Sequence, residues 1–99
     1  MTNATDNNKK VLITGAAGFI GFHISRKLCA LGYSVTGIDT LNDYYDVQLK
    51  LDRLAQLRTS PGFRFYTISI TDKDSIDDLF EKNRFNMVLN LAAQAGVSV

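Results

Sequence analysis

Three glycines that follow a short apolar run constrain this chain more than any other feature of its sequence. Val11–Ile13 is continuously apolar, and Gly15, Gly18 and Gly21 then recur at every third position. A turn needs one or two glycines, whereas a strand, three spaced glycines and a helix in this order are typical of a dinucleotide site. Gly15 permits a tight turn, Gly18 lets backbone approach a pyrophosphate, and Gly21 permits close packing of the helix on the sheet. The free N–H groups at the helix start would then bind the phosphates.

The rest of the chain alternates between apolar runs and amphipathic stretches. Four strands are predicted, over Val11–Ile13, Tyr33–Ile38, Phe63–Ile70 and Met87–Leu91. Three helices are predicted between them, over Phe19–Leu31, over Val47–Arg58, and from a cap at Asp74 or Ser75 to Lys82. The order β-α-β-α-β-α-β predicts an α/β fold, the N-terminal half of a doubly wound parallel sheet of the Rossmann type. Its crossovers should be right-handed, with helices on both faces of the sheet.

Each predicted helix carries apolar residues at helical spacing, which predict the face that it turns to the sheet. These stripes are Ile20, Ile24, Leu28 and Leu31 in the first helix, Val47, Leu51, Leu54 and Leu57 in the second, and Ile76, Leu79 and Phe80 in the third. Gly32 directly follows the first helix, where a glycine commonly ends a helix. Cys29 lies inside that helix and is interpreted as a small, partly buried apolar residue.

Length, charge and composition favour one small domain and exclude several classes of protein. The chain has 99 residues, whereas a complete dinucleotide fold needs two mononucleotide-binding halves. We therefore expect a disordered polar tail over residues 1–9 and a truncated dinucleotide-binding domain over residues 10–99. The net charge is only +1, with basic and acidic residues intermixed, so neither nucleic acid nor a membrane surface is an expected partner.

Cysteine content and hydropathy bear on whether the protein binds a metal and on where in the cell it is located. The single cysteine offers neither a disulfide framework nor a metal-ligand set, so no metal is expected. No apolar run approaches the roughly 18 residues that span a bilayer, and the polar N-terminus lacks the core of a signal peptide. A cytoplasmic protein is therefore expected.

An acidic residue strengthens the dinucleotide interpretation. Asp39 lies eighteen residues after Gly21, at the end of the second predicted strand. A carboxylate at that place can accept hydrogen bonds from the ribose hydroxyls of adenosine. It would also repel a 2′-phosphate, which favours NAD over NADP. The alternative is an aspartate that only shapes a turn or a helix start.

The glycine spacing G-x-x-G-x-x-G resembles that of the extended short-chain dehydrogenase/reductase superfamily, which contains the NAD-dependent epimerases and dehydratases. Other segments are similar to the UDP-glucuronate 4-epimerase branch of that superfamily. They are Gly37–Asp46, Leu49 and Lys50 with Arg53 and Leu54, and Leu91–Val97. The resemblance covers nearly all of residues 9–99. It implies NAD as cofactor, a UDP-sugar as substrate and a homodimer for the full-length protein.

The resemblance also implies roles for individual residues. Phe19 and Ile20 would contact the pyrophosphate through their backbone, and Leu41 with Asn42 would lie along the adenosine ribose. Ile70 would lie against the adenine edge. The cofactor-binding residues implied in this way are Gly15, Gly18, Phe19, Ile20, Gly21, Asp39, Leu41, Asn42, Ile70, Asp72, Leu91, Ala92, Ala93 and Gln94.

The chain departs from the family at one cofactor position and lacks the family's catalytic pair. Ser69 stands where the family usually has an acidic residue near adenine, and a serine hydroxyl is a weaker acceptor. Family members use a Y-x-x-x-K pair, and none of the four tyrosines here has lysine four residues later. No catalytic residue is therefore assigned, and this chain alone is expected to be inactive.

The implied activity of the full-length protein is inversion of C4 of a UDP-hexuronate or UDP-hexose through a transient 4-keto intermediate. Two alternatives stay open: a nucleotide-sugar 4,6-dehydratase or reductase of the same superfamily, and a non-catalytic nucleotide-binding module. Other candidates have simpler interpretations. His23 is interpreted as a surface residue, and the carboxylates Asp72, Asp74, Asp77 and Asp78 as groups that cap and solvate a helix.

Overall fold

The computed structural model describes residues 9–40 and 47–91. Its strands are β1 (Lys10–Thr14), β2 (Ser34–Asp39), β3 (Phe63–Thr67) and β4 (Met87–Asn90). Its helices are α1 (Phe19–Ala30), α2 (Val47–Leu57) and α3 (Lys73–Lys82). The predicted order of elements is confirmed, and most of their ends differ from the prediction by one to three residues. Almost all of the tail that the sequence predicts over residues 1–9 lies outside the described residues.

The four strands form one parallel sheet in the order β3-β2-β1-β4. β1 and β2 lie in the middle, and Val11, Leu12 and Ile13 of β1 are at most 1% exposed. An uninterrupted apolar run suits such a strand because both of its faces are covered. The predicted α/β fold of the Rossmann type is confirmed. Since all strands run in one direction, their carboxyl ends meet at one edge of the sheet.

Helices cover both faces of the sheet. Val11 and Ile13 of β1 belong to a buried cluster with Cys29 of α1. Leu12, which points to the opposite face, is clustered with Leu79 of α3. α2 lies beside α1, where Leu54 is clustered with Phe22. The alternation of side chains along β1 thus separates α1 and α2 from α3.

The buried face of α1 differs from the predicted apolar stripe. Ile20 and Leu31 are 60% and 59% exposed. The residues of α1 that are buried are Gly21, Phe22, Ser25 and Cys29. Small side chains at four-residue spacing let α1 lie close to the sheet, and the larger Ile24 and Leu28 pack only at the margin. Burial in a low-dielectric environment also raises the pKa of the Cys29 thiol.

The other two helices bury only part of their predicted stripes. In α2, Leu54 and Leu57 are buried while Leu51 is exposed, and in α3 Leu79 is buried while Phe80 is exposed. The predicted cap of α3 is also wrong. The side chain of Asp72, rather than Asp74 or Ser75, caps the helix by accepting the Ser75 N–H at 3.3 Å.

β3 ends at Thr67, three residues before the predicted end at Ile70. Its neighbour β2 stops at Asp39, whose carbonyl accepts the last bridging hydrogen bond, from Ile68 N–H at 3.2 Å. The chain then turns, with Asp72 N–H donating to the Ser69 carbonyl at 3.0 Å. Within residues 9–40 and 47–91, no helix combines the length and hydropathy needed to cross a membrane.

Candidate functional site

The turn between β1 and α1 is built from backbone hydrogen bonds. Gly15 has a φ of 73°, in the left-handed region where glycine has no steric penalty. Gly15 and Ala16 N–H both donate to the carbonyl of Ile38 in β2, at 2.9 and 3.2 Å. Gly18 N–H closes the turn on the Gly15 carbonyl at 3.0 Å. The turn is thereby fixed to the carboxyl end of β2 as well as to β1.

Gly21 is required for a reason that differs from the predicted one. A Cβ on Gly21 would overlap the Gly15 carbonyl oxygen and would lie 2.9 Å from the Cα of Ala16. The close approach is therefore between the helix and its own preceding turn, more than between the helix and the sheet. At Gly18 a Cβ would be 3.3 Å from the same oxygen, which is tight but not an overlap. The protein alone thus restricts Gly21 much more strongly than Gly18.

The N-terminus of α1 exposes backbone donors. Gly18 is the N-cap, and it has no side chain that could satisfy the first turn. The first N–H that bonds inside the helix is that of Phe22, to the Gly18 carbonyl at 2.9 Å. The N–H groups of Phe19, Ile20 and Gly21 precede that bond and have no intrahelical acceptor. No acidic side chain occupies the first turn. Donors, helix dipole and small side chains together suit an anion such as a pyrophosphate.

Asp39 lies directly beside this turn and is buried. Its Oδ2 accepts a hydrogen bond from Ala17 N–H at 2.9 Å. Its Oδ1 lies 3.0 Å from Nζ of Lys50, a residue of α2. Each carboxylate oxygen can accept more than one hydrogen bond, so both retain capacity for ligand hydroxyls. The structure therefore brings Asp39 and the three glycines together, as the sequence predicts.

Two basic residues of α2 reach this region, and sequence reasoning did not assign them a role. Lys50 donates to the Thr40 carbonyl at 3.2 Å in addition to its ion pair with Asp39. Arg53 donates to the Ala17 carbonyl at 3.1 Å and lies 5.8 Å from the centre of the Phe19 ring. Two signals were available: their three-residue spacing, which puts them on one helix face, and their place in a segment that resembles the UDP-glucuronate 4-epimerase branch. Their contacts with the turn are tertiary and leave no local pattern.

The carboxyl ends of β1 and β4 are joined by side-chain hydrogen bonds. The Thr14 hydroxyl donates to Oδ1 of Asn90 at 2.5 Å. Leu91 N–H lies 3.0 Å from that hydroxyl oxygen and 3.1 Å from the Thr14 carbonyl. Leu91, a predicted cofactor residue, is thus fixed at the same sheet edge as the glycine turn. Neither Thr14 nor Asn90 was singled out from the sequence.

The predicted residues after β3 have structural roles in the described part of the chain. Ile70 packs on the α3 face of the sheet with Leu12, Ile38 and Leu79. Asp72 caps α3, and its Oδ2 accepts the Ser75 hydroxyl at 2.7 Å. After Ile68, the hydroxyl groups of Ser69 and Thr71 form a hydrogen bond, with Oγ and Oγ1 2.7 Å apart. These residues lie at the end of the strand next to Asp39.

Several predicted positions lie outside the described residues. They are Leu41, Asn42, Ala92, Ala93 and Gln94. His23 is exposed, in agreement with its interpretation as a surface residue, and contacts the rings of Phe19 and Phe22 edge to face. Among the described residues, no group of three or more histidine, cysteine, aspartate or glutamate side chains could ligate a metal.

Comparison with known proteins agrees with this geometry. The family model described as GDP-mannose 4,6 dehydratase matches residues 12–99. The chain belongs to the NAD-dependent epimerase/dehydratase family. The resemblance inferred from the glycine motif is thereby confirmed.

Relatives within this epimerase/dehydratase family include several UDP-glucuronate 4-epimerases. The enzyme of that name from Thermodesulfobacterium geofontis is 46% identical over 86 residues, which are 87% of this chain and 27% of the relative. UDP-glucuronate 4-epimerase 2 of Arabidopsis thaliana is 47% identical over 93 residues, 94% of this chain and 21% of the relative. The chain therefore spans about a quarter of the length of these curated relatives.

A solved structure shows the same fold with ligands. It is UDP-glucuronic acid 4-epimerase from Bacillus cereus in complex with UDP-glucuronic acid and NAD. Its TM-score is 0.75 at 35% identity, over 89% of this chain and 27% of that chain. NAD, the cofactor expected from Asp39 and the glycine motif, is the cofactor bound in that epimerase.

Proposed function

We propose that this chain is the NAD-binding part of a nucleotide-sugar 4-epimerase that acts on a UDP-hexuronate, with UDP-glucuronate as the foremost candidate. The full reaction would invert C4 of the sugar by removing its hydride and returning it to the opposite face of a 4-keto intermediate. The family membership and the UDP-glucuronate 4-epimerase relatives support this proposal. NAD, when bound, supplies the hydride acceptor and donor.

One observation carries the proposal more than any other. The buried carboxylate of Asp39 lies beside the turn between β1 and α1, where it accepts a hydrogen bond from Ala17 N–H at 2.9 Å. This contact puts an acceptor for ribose hydroxyls next to the donors for a pyrophosphate, in the order in which a dinucleotide presents those groups. An aspartate that only shaped a turn would not need to lie beside the N–H groups that lack an intrahelical acceptor at the N-terminus of α1.

The chain's own residues would bind and orient the cofactor. The N–H groups of Phe19, Ile20 and Gly21 would donate to the pyrophosphate, and Asp39 would accept from the adenosine ribose. Gly18 leaves room for the phosphates, and Leu91 lies at the same sheet edge, at the end of β4. Leu41, Asn42, Ile70, Asp72 and Ala92, Ala93 and Gln94 complete the proposed contacts on the basis of the resemblance.

Proton transfer at the sugar hydroxyl requires a general acid and base, and this chain offers no Y-x-x-x-K pair. Tyr33 is followed four residues later by Gly37, and Tyr66 by Ile70. We therefore expect this 99-residue chain to bind NAD weakly and not to turn over UDP-glucuronate. Epimerisation by the isolated chain, detected by chromatography of the UDP-sugars, would contradict this expectation.

A calorimetric titration with NAD tests the binding function. We expect saturable binding that Asp39→Ala weakens by about tenfold or more, because a buried charge-assisted acceptor is lost. Asp77→Ala is the matched control, since Asp77 is an exposed aspartate that forms an ion pair with Lys73 in α3. Equal loss in both variants, or unchanged affinity in Asp39→Ala, would refute the role of Asp39. Absence of NAD binding by the unaltered chain would refute the binding function for this chain.

A 4,6-dehydratase is the second candidate, because the matching family model is described as GDP-mannose 4,6 dehydratase. The two activities differ in the mass of their product. An epimerase returns a UDP-sugar of unchanged mass, whereas a dehydratase removes one water. A protein that contains this chain and has the full length of its relatives is incubated with UDP-glucuronate or with a GDP- or UDP-hexose. Mass spectrometry of the product then distinguishes the two activities.

The proposal includes a homodimer in the cytoplasm for the whole protein and a truncated NAD-binding domain over residues 10–99 of this chain. Light scattering of the full-length protein tests the dimer. Fractionation of cells that express it tests the location. Limited proteolysis tests the domain boundary, because cleavage should be confined to the polar segment that precedes Lys10.

A further inference from the structure

The guanidinium of Arg53 lies beside the N-terminus of α1. Its Nη1 donates to the Ala17 carbonyl at 3.1 Å. Its Cζ lies 5.8 Å from the centre of the Phe19 ring, within the range of a cation–π interaction. Ala17 and Phe19 are the residues on either side of Gly18, the N-cap of α1. The two contacts therefore hold the guanidinium next to the backbone that opens the helix.

The charge of Arg53 has no acidic partner in the described part of the chain. No carboxylate among those residues forms an ion pair with Arg53, whose contacts are with a neutral carbonyl and an aromatic ring. Arg53 is half-buried, and water screens a charge in that environment less than one at the open surface. A half-buried cation of this kind attracts an anion to the place where it lies.

The chemistry of this cation matches that of a phosphate. A guanidinium is planar and permanently charged, and it carries several N–H donors in a fork. One donor is used in the hydrogen bond to Ala17, and the others can bind two oxygens of a phosphate at once. The N–H groups of Phe19, Ile20 and Gly21, the proposed donors to the pyrophosphate, lie at the same end of α1. Since backbone donors carry only partial charges, a guanidinium beside them supplies the full positive charge that they lack.

We propose that Arg53 is a phosphate-binding residue of the cofactor site, which contacts the pyrophosphate of NAD while the Ala17 carbonyl and the Phe19 ring hold its guanidinium in place. This inference rests on the proposed function, since it presupposes that a dinucleotide binds at this turn. It adds to the backbone donors a side chain from α2, a helix that the glycine motif does not include.

NMR titration with NAD, ADP and adenosine tests the contact, because adenosine lacks a phosphate. In Arg53→Met, which keeps the length of the side chain, we expect NAD and ADP to bind about tenfold or more weakly, through loss of a charge-assisted hydrogen bond. The affinity for adenosine should not change. Arg58→Met is the matched control and should leave all three affinities unchanged. Arg58 also lies over an aromatic ring, 5.9 Å from the centre of Phe65, but it follows the last residue of α2.

The control and the phosphate-free ligand define what would overturn the proposal. An unchanged NAD affinity in Arg53→Met would do so, because the guanidinium would then not reach the phosphates. Equal weakening of NAD and adenosine would also do so, because Arg53 would then only restrain the turn. So would an equal loss in Arg58→Met, because net charge rather than contact would then decide the affinity.

A second variant separates the charge of Arg53 from its hydrogen bond and keeps the test decisive if Arg53→Met is unfolded. Arg53→Gln retains an uncharged N–H donor for the Ala17 carbonyl, and a thermal melt checks its folding. Weaker NAD binding in Arg53→Gln, with a smaller dependence on ionic strength than in the unaltered chain, supports the proposal. An unaltered affinity, or an unaltered dependence on ionic strength, overturns it.

The unaltered chain distinguishes failure of this inference from failure of the proposed function. If it binds NAD and the variants give any of the contrary results, only the role of Arg53 is overturned. If it binds neither NAD nor ADP, the proposed function is overturned together with this inference.

Discussion

The inner and outer strands of the sheet differ in how much of their apolar surface is covered. In β1 and β2, Leu12, Val35 and Ile38 are almost completely buried. In β4, by contrast, Met87 and Val88 are 40% and 46% exposed. The glycine turn and Asp39 both emerge from the inner pair. The difference indicates that the inner strands hold the site rigid, while substitutions in the outer strands should be tolerated.

The largest expected effect tests whether the stability of the inner strands, β1 and β2, depends on the glycine-containing turn between β1 and α1. Gly21→Ala should lower the free energy of unfolding by about 3 kcal/mol or more, because its Cβ would overlap backbone that cannot move aside. Urea denaturation followed by circular dichroism measures this change. Gly18→Ala is the control, with an expected cost of about 1 kcal/mol. If the two variants are equally stable, the close contact between α1 and its turn is not the restriction.

A second pair of substitutions compares the inner and outer strands directly. Leu12→Ala should cost about 3 kcal/mol, since it leaves a cavity between β1 and α3. Val88→Ala in β4 should change the free energy of unfolding by only about 0.5 kcal/mol, because the side chain is half exposed. Urea denaturation of both variants provides the comparison. Similar losses would show that β4 is as well packed as β1, contrary to its exposure.

A smaller effect is expected at the exposed start of α3. Asp72→Ala should lower stability by about 1 kcal/mol through loss of the helix cap. Asp74→Ala should cost less, because Asp74 contributes only through its place in the first turn. Thermal denaturation distinguishes the two. A larger loss of stability in Asp74→Ala than in Asp72→Ala would indicate that Asp74 caps the helix, as the sequence predicts.

The smallest predicted effect is a gain in stability in α1, the helix that packs on the inner strand β1. Among the described residues, the Ser25 hydroxyl is a buried polar group without a hydrogen-bond partner. Ser25→Ala should therefore raise the free energy of unfolding by about 0.5 kcal/mol, since no hydrogen bond is lost and a desolvated group is removed. Ser75→Ala serves as the opposite case, because its hydroxyl donates to Asp72. A loss of stability in Ser25→Ala would indicate a partner for this hydroxyl.

The sequence predicts the order of elements and the core of the site because those features have local signals. The apolar run before Gly15 and the spacing to Asp39 are visible in the sequence itself, and the structure brings these residues together. The role of Gly21 against Gly15 was less accessible, since it depends on the path of the turn.

Sequence reasoning failed where packing or tertiary contact decides. The apolar periodicity of α1 favoured Ile20 and Leu31, but close approach of the helix to the sheet selects the small residues Ser25 and Cys29 instead. Counting apolar residues gives such small side chains too little weight. Lys50 and Arg53 reach partners that are distant in sequence, so their contacts could not be read from a local pattern.

The two peptide groups that flank the Cα of Ala17 are both held by side chains. The Ala17 N–H donates to a carboxylate from β2, and the Ala17 carbonyl accepts from a guanidinium of α2. Rotation of either peptide plane would break one of these hydrogen bonds. The amide should therefore exchange slowly with deuterium, although it lies at the rim of the sheet. A turn immobilised in this way has little conformational entropy to lose when an anion arrives, so its donors are oriented before binding instead of by it.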